Sequence, residues 1–155
     1  MNIKILPEVL AVDYCKNTDI PITLVLSIRC PGEDKPNFPD TIKNGNDSKI
    51  YDIFYMEFND LENDEKEYKA PTLNDFNGLK QFIDENITAV EQILVHCGAG
   101  YSRSPGLALA ICEYLGIDND IRNNKDYYPN LLVYNLAKKE LGIDKDKNFY
   151  EELFR

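Results

Sequence analysis

Basic residues are scarce in this sequence: 17 Lys and Arg stand against 27 Asp and Glu, a formal net charge of −10. That balance argues against a nucleic-acid backbone or an anionic membrane surface as the main partner, because both reward basic patches. No window approaches the roughly 18 apolar residues of a membrane-spanning helix. The N-terminal MNIKILPEVL lacks the cationic segment, long apolar run and small-residue cleavage site of a signal peptide, so none is expected. The four cysteines (Cys15, Cys30, Cys97 and Cys112) form no Cys-x-x-Cys pair, and no zinc site is expected. Thiols scattered through a chain without a leader point to a reducing, cytoplasmic setting. Histidine occurs once.

The remaining composition is that of an ordinary globular protein, 43% hydrophobic and 28% charged over 155 residues. That length buries a core without staples and predicts one domain over residues 1–155, with no repeat and no second unit. The runs at 22–28 (ITLVLSI), 92–97 (QILVHC) and 49–58 (KIYDIFYMEF) predict buried strands, and 2–6 (NIKIL) a fourth at an edge. Thr72 can cap a helix running to residue 87, in which Leu73, Phe76, Leu79, Phe82, Ile83 and Ile87 fall at helical spacing. Residues 104–116, with Pro105 suited to a first turn, and 129–142, opening on Pro129, each close on a glycine and predict two further helices. Strands alternating with helices imply an α/β sheet with right-handed crossovers. The Pro/Gly/Asp-rich stretch 31–48 reads as one long loop, a length often functional in a compact domain.

The unique histidine opens the run HCGAGYSRS at 96–104, between the strand ILVHC and the helix SPGLALAICEYL. In an open α/β sheet, ligands bind at the carboxyl ends of the strands. Gly98, Ala99 and Gly100 let the backbone curl so that successive amides point inward, and with the following helix N-terminus they make an anion cradle. Arg103 adds a planar fork suited to phosphate oxygens. Cys97 stands at the mouth of that cradle, where a positive helix end and a guanidinium favour the thiolate. A thiolate there can attack phosphorus and form a covalent intermediate, while the amides hold the equatorial oxygens. Arg103 and the amides supply the positive charge, so neither metal nor cofactor is expected.

His-Cys, five residues, then Arg-Ser resembles the signature loop of the protein tyrosine phosphatase superfamily. The small size and the run GYSRS are most similar to its dual-specificity and small atypical members. The resemblance runs from the strand at 49–58 to the helix ending near Leu115, and the N-terminal third matches in outline only. It implies a central, mainly parallel sheet of four to five strands with helices on both faces. It also implies Cys97 as nucleophile and phosphate binding by Arg103 with the backbone of Gly98, Ala99, Gly100, Tyr101 and Ser102. Ser104 would then assist thiolate departure and His96 would orient the loop.

A leaving oxygen needs a proton, so a carboxylic acid must lie near the loop. The family takes an Asp from an upstream loop, which points to Asp60 in EFNDLEN, 37 residues before Cys97. Asp64 is the alternative. The rest of the run LENDEKEYKA reads as a solvated acidic loop. Arg29 and Cys30 end the strand 22–28 on the same sheet edge. Arg29 could recruit substrate or be paired, and Cys30 could form a disulfide with an oxidised Cys97, as other cysteines do in some relatives. Cys112 reads as core, Asn130 as a helix cap with contact to the phosphate loop or to water as the alternative, and Tyr127 and Tyr128 as packing residues with a rim role against a substrate ring as the alternative.

The resulting expectation is a phosphomonoester hydrolase acting on phosphotyrosine, with phosphoserine or phosphothreonine also in range. The alternatives are a phosphoprotein-binding pseudophosphatase and a phosphatase for phosphoinositide or RNA 5′-phosphate. A phosphoinositide enzyme calls for basic residues inside the loop, where GAGYS has none, and an RNA enzyme calls for a basic groove. The expected partner is a phosphorylated protein.

Overall fold

The computed structural model describes residues 1–143, so residues 144–155 of the expected domain lie outside it. Four strands, β1 (Asn2–Pro7), β2 (Thr23–Arg29), β3 (Ile50–Glu57) and β4 (Gln92–Cys97), form one fully parallel sheet in the order β1-β4-β2-β3. The register pairs Pro7 with Cys97, Ser27 with His96 and Arg29 with Glu57. The carboxyl ends of all four strands therefore share one edge, and the loops leaving β2, β3 and β4 meet there.

Every residue of β4 is buried, as is all of β2 except Arg29. This follows from helices covering both faces. One face packs Leu24, Leu26, Ile28, Ile93 and Val95 against α2 (Leu79–Asn86), α3 (Arg103–Leu115) and α4 (Leu131–Leu141). The other packs Val25, Ile50 and Leu94 against Ala11 and Cys15 of α1 (Glu8–Cys15), with Phe38 from the 31–48 loop. No helix among the described residues is long and apolar enough to cross a membrane.

The expected strands and the α/β class stand, and β1 is at an edge as anticipated. Three elements differ. The helix expected from 72 is split: a 3-10 turn over Leu73–Phe76 ends at Asn77, and Gly78 adopts φ 87° before α2 begins. Thr72 does start it, its amide donating to Asp75 Oδ2 at 2.7 Å, and the reciprocal capping box is complete. Helix α1 has no counterpart in the sequence pattern. Its Val9 and Leu10 are exposed while Ala11 and Cys15 are buried, so its apolar residues do not mark out one face. Finally, Pro129 stands just ahead of the helix it was expected to open. Asn130 is the cap and α4 begins at Leu131.

Helices α3 and α4 cross closely enough that a Cβ on Gly106 would lie 2.6 Å from the Asn130 carbonyl oxygen. Glu113 of α3, burial pushing its carboxyl up, accepts from Tyr134 Oη of α4 at 2.7 Å. These contacts fix the start of α4 beside the start of α3, and hence beside the loop after β4.

Candidate active site

The loop 98–102 begins at the buried end of the central strand β4 and ends where α3 starts at Arg103. Gly100 adopts φ 68°, and a Cβ there would lie 2.7 Å from Pro7 N and 2.9 Å from the Leu6 carbonyl carbon. Only glycine satisfies both the left-handed backbone and the close approach of β1. A further bond runs from Glu8 N to the Gly98 carbonyl at 3.1 Å, so the first strand and α1 brace the loop from behind. Within the described residues, none of the amides of 99–102 donates a hydrogen bond to the protein. They remain available for an anion, as the cradle requires.

Cys97 is buried, and its Sγ lies 3.1 Å from the buried Ser104 Oγ. Arg103 is buried as well. Its Nη1 donates to the Phe58 carbonyl at 3.0 Å and to Cys30 Sγ at 3.3 Å. Those contacts hold one arm of the guanidinium, while Nε is buried without a protein partner. A Cβ placed on Gly98 would come 3.6 Å from Nη2. The guanidinium thus lies against the loop with Nε unspent, a donor pattern that suits a multidentate oxyanion.

His96 has no exposed surface. Its Nδ1 lies 3.3 Å from the Cys97 carbonyl and its Nε2 lies 2.6 Å from Ser27 Oγ. The network assigns the proton to Nδ1, donated to that carbonyl, with Nε2 accepting from the serine. Desolvation pushes the imidazole down to about 4; its bond to the Cys97 carbonyl opposes this and the Arg103 charge adds to it. His96 is therefore a neutral ring fixing the carbonyl of Cys97. The ring of Phe38 packs on it at 5.4 Å between centroids, which ties the long 31–48 loop to the site.

The two candidate carboxylates have different partners. Asp60 Oδ1 accepts from Ser102 Oγ at 2.9 Å and from Asn130 Nδ2 at 2.9 Å. Asn130 Nδ2 also donates to the Leu61 carbonyl at 3.2 Å, its Oδ1 caps Val133 N at 3.0 Å, and its own amide reaches the Ser102 carbonyl at 2.9 Å. Asp64 faces its own loop: Oδ1 accepts from Ala70 N at 2.9 Å and Oδ2 lies 3.5 Å from Lys69 Nζ. The Ala70 amide and then Lys69 hold its carboxyl below the usual range. Asp60 is joined to the loop carrying Cys97 and Arg103, and Asp64 is engaged in closing a turn. Asn130 both caps α4 and touches the phosphate loop, the two contacts the sequence offered for it, while its bond to Asp60 was not among them. An Asn after Pro and before a helix announces a cap, but nothing local announces a partner 70 residues away.

The remaining candidates divide. Arg29 is paired with Glu57 at 2.9 Å and donates to the Glu33 carbonyl, as the paired reading anticipated. Cys30 is a free, half-buried thiol touching Arg103. Cys112 is core, burial pushing its thiol up to about 11. Tyr127 is half-buried against the core, whereas Tyr128 is exposed, contrary to a packing role.

A family model described as dual specificity phosphatase, catalytic domain, matches residues 9–126, a longer stretch than the resemblance read from 49 to 115. No curated protein sequence matches the chain. Among solved structures, the crystal structure of Tk-PTP in the active form aligns with a TM-score of 0.51 at 11% identity, covering 93% of this chain and 94% of that one. At that identity the likeness speaks for the fold alone.

Proposed function

Because the chain belongs to the dual specificity phosphatase catalytic-domain family, we propose that it is a cysteine-dependent phosphomonoester hydrolase whose substrate is a phosphotyrosine-bearing protein. Phosphoserine and phosphothreonine would be secondary substrates. The single observation behind this reading is the meeting of three chemically distinct groups at one loop. Cys97 lies 3.1 Å from Ser104, the Nε of Arg103 has no protein partner, and Asp60 is bonded to Ser102.

In this mechanism the amides of 98–103 and Arg103 bind the three non-bridging phosphate oxygens. The Cys97 thiolate attacks phosphorus in line with the ester oxygen. As the phosphorus–oxygen ester bond breaks, protonated Asp60 gives its proton to the leaving oxygen. The alcohol or phenol departs and leaves a cysteinyl-phosphate. Asp60, now a carboxylate, takes a proton from the water that attacks phosphorus, and the sulfur leaves as thiolate, stabilised by the Ser104 hydroxyl. Inorganic phosphate is the second product. Arg103 and the amides meet the changing charge on the phosphoryl group without a metal. The whole chain, 1–155, would act as one catalytic unit in a reducing compartment that keeps Cys97 a thiol.

The test is a panel of phosphotyrosine and phosphothreonine peptides, phosphoinositides and RNA 5′-triphosphate, run with wild type, Cys97→Ser, Asp60→Asn and Asp64→Asn. The expected pattern is phosphotyrosine hydrolysis lost in Cys97→Ser and strongly reduced in Asp60→Asn. Activity surviving in Cys97→Ser would sink the mechanism. Binding of phosphopeptide by wild type without turnover would convert the protein to a phosphate reader.

A further inference from the structure

The segment that carries Asp60 is fastened to the start of α4 at three consecutive residues. Asn130 Nδ2 donates to Asp60 Oδ1 at 2.9 Å and to the Leu61 carbonyl at 3.2 Å. Glu62 makes the third contact: its Oε1 accepts from the amide of Leu131, the first residue of the helix, at 3.2 Å. These bonds span 69 or 70 residues of sequence, so nothing local dictates them.

Glu62 behaves unlike the acidic residues that follow it. Asp64 closes its own turn on Ala70 and Lys69, and Glu65 pairs through its backbone with Tyr68. The side chain of Glu62 instead leaves its loop, although the residue is exposed and burial does not demand a partner. The amide it meets is one of the donors that a helix start leaves unpaired, and a carboxylate there also gains from the helix dipole. Asn130 serves the Val133 amide from one side while Glu62 serves the Leu131 amide from another segment. The start of α4 is itself bonded to the phosphate loop, Asn130 N donating to the Ser102 carbonyl at 2.9 Å. With Glu62 attached, the chain from 60 to 62 cannot turn about Leu61 without breaking a bond to that frame.

We propose that Glu62 is a positioning residue for the general acid, holding the Asp60 segment against α4 so that the carboxyl stays over the phosphate loop. The inference rests on the phosphatase reading above and adds a residue to its machinery. Proton transfer needs its donor within hydrogen-bond reach of the leaving oxygen, and a small displacement costs rate while the nucleophile is untouched. Glu62 acts through Asp60 and takes no part in the bonds that form or break.

The test compares two leaving groups in two backgrounds. Glu62→Ala should lower kcat/KM for a phosphotyrosine peptide about three- to tenfold, the worth of one bond at a helix N-terminus. It should leave kcat/KM unchanged for an activated aryl phosphate, whose leaving group needs no proton. Glu62→Gln keeps an oxygen for the Leu131 amide and should restore most of the loss. In the Asp60→Asn background, Glu62→Ala should cost nothing more, because no acid is left to place. A residue that only caps α4 would slow both substrates alike and slow Asp60→Asn further, and either result would overturn the proposal. So would a wild-type rate for Glu62→Ala on the peptide. Hydrogen exchange reads the attachment without turnover: Glu62→Ala should speed exchange across 58–70 and leave β4 protected. Unchanged exchange across 58–70 would also overturn it. Wild type inactive on both substrates would remove the phosphatase reading, and the positioning role with it.

Discussion

Ser102 of the phosphate loop donates its hydroxyl to Asp60 at 2.9 Å, across 42 residues of sequence. Asn130 donates to the same oxygen, so Oδ1 is held by two donors, and in the proposed mechanism Oδ2 would carry and deliver the proton.

That arrangement separates two roles of Asn130 experimentally. Asn130→Ser keeps an acceptor for the Val133 amide but removes the donor to Asp60 and Leu61. Tm should move little, while kcat falls about tenfold on substrates with poor leaving groups, the worth of one charge-assisted hydrogen bond. On an activated aryl phosphate, whose leaving group needs no proton, the loss should be small. Asp60→Asn should show the same leaving-group dependence with a loss of about 10²–10⁴.

Ser104 sits 3.1 Å from the sulfur of Cys97 and is fully buried. In the proposed mechanism its hydroxyl stabilises the sulfur anion that leaves phosphorus, so its removal should act on the second half-reaction. Ser104→Ala is expected to slow turnover about 10- to 100-fold while leaving an initial burst of product. Rapid-quench measurement of the burst checks this, and a uniform slowing without a burst would place the role of Ser104 elsewhere.

The buried neutral His96 makes stability depend on pH. Its folded-state value of about 4 lies below the ordinary 6.5, so between those limits the unfolded chain holds the extra proton. Stability from this group is complete above pH 6.5 and is lost as pH falls toward 4, by about 3 kcal/mol across the window. Denaturant titrations at several pH values should show this slope in wild type and a shallower one in His96→Gln.

Gly100→Ala should be among the most damaging single-methyl additions. It combines φ 68° with a Cβ 2.7 Å from the Pro7 backbone, neither of which can relax without moving β1. A loss of about 2 kcal/mol or more is expected. Gly98→Ala provides the contrast, since the nearest atom is the Arg103 Nη2 at 3.6 Å and the backbone is unstrained there. Its Tm should remain near wild type, as differential scanning calorimetry would show.

The legible parts of this protein are those whose information is local. The apolar runs of β2 and β4 announce burial on both faces, and the spacing from His96 to Ser104 announces a nucleophile, a cradle and a clamp. Thr72 announces a helix start, but the left-handed turn at Gly78 depends on tertiary packing that no short window contains. Helix α1 was invisible because its covering of the sheet rests on Ala11 and Cys15, small residues inside a stretch with no apolar stripe. The bonds from Ser102 and Asn130 to Asp60 join segments 42 and 70 residues apart, so the sequence could favour Asp60 over Asp64 by its place after the strand but not show what it touches. The burial of His96 under Phe38 belongs to the same class: a long loop signals that something is there, not which ring it covers.

The order of the sheet separates the two halves of the site in time. Cys97 ends β4, which has hydrogen-bonded neighbours on both sides, whereas the segment bearing Asp60 hangs from β3, an edge strand with β2 alone beside it. Amides of β4 exchange with solvent only when the whole sheet opens, while an edge strand and its loop open locally at lower cost. In the proposed mechanism, the segment bearing Asp60 would be the part that opens to admit a bulky protein side chain, while β4 and the cradle at its end would keep their shape.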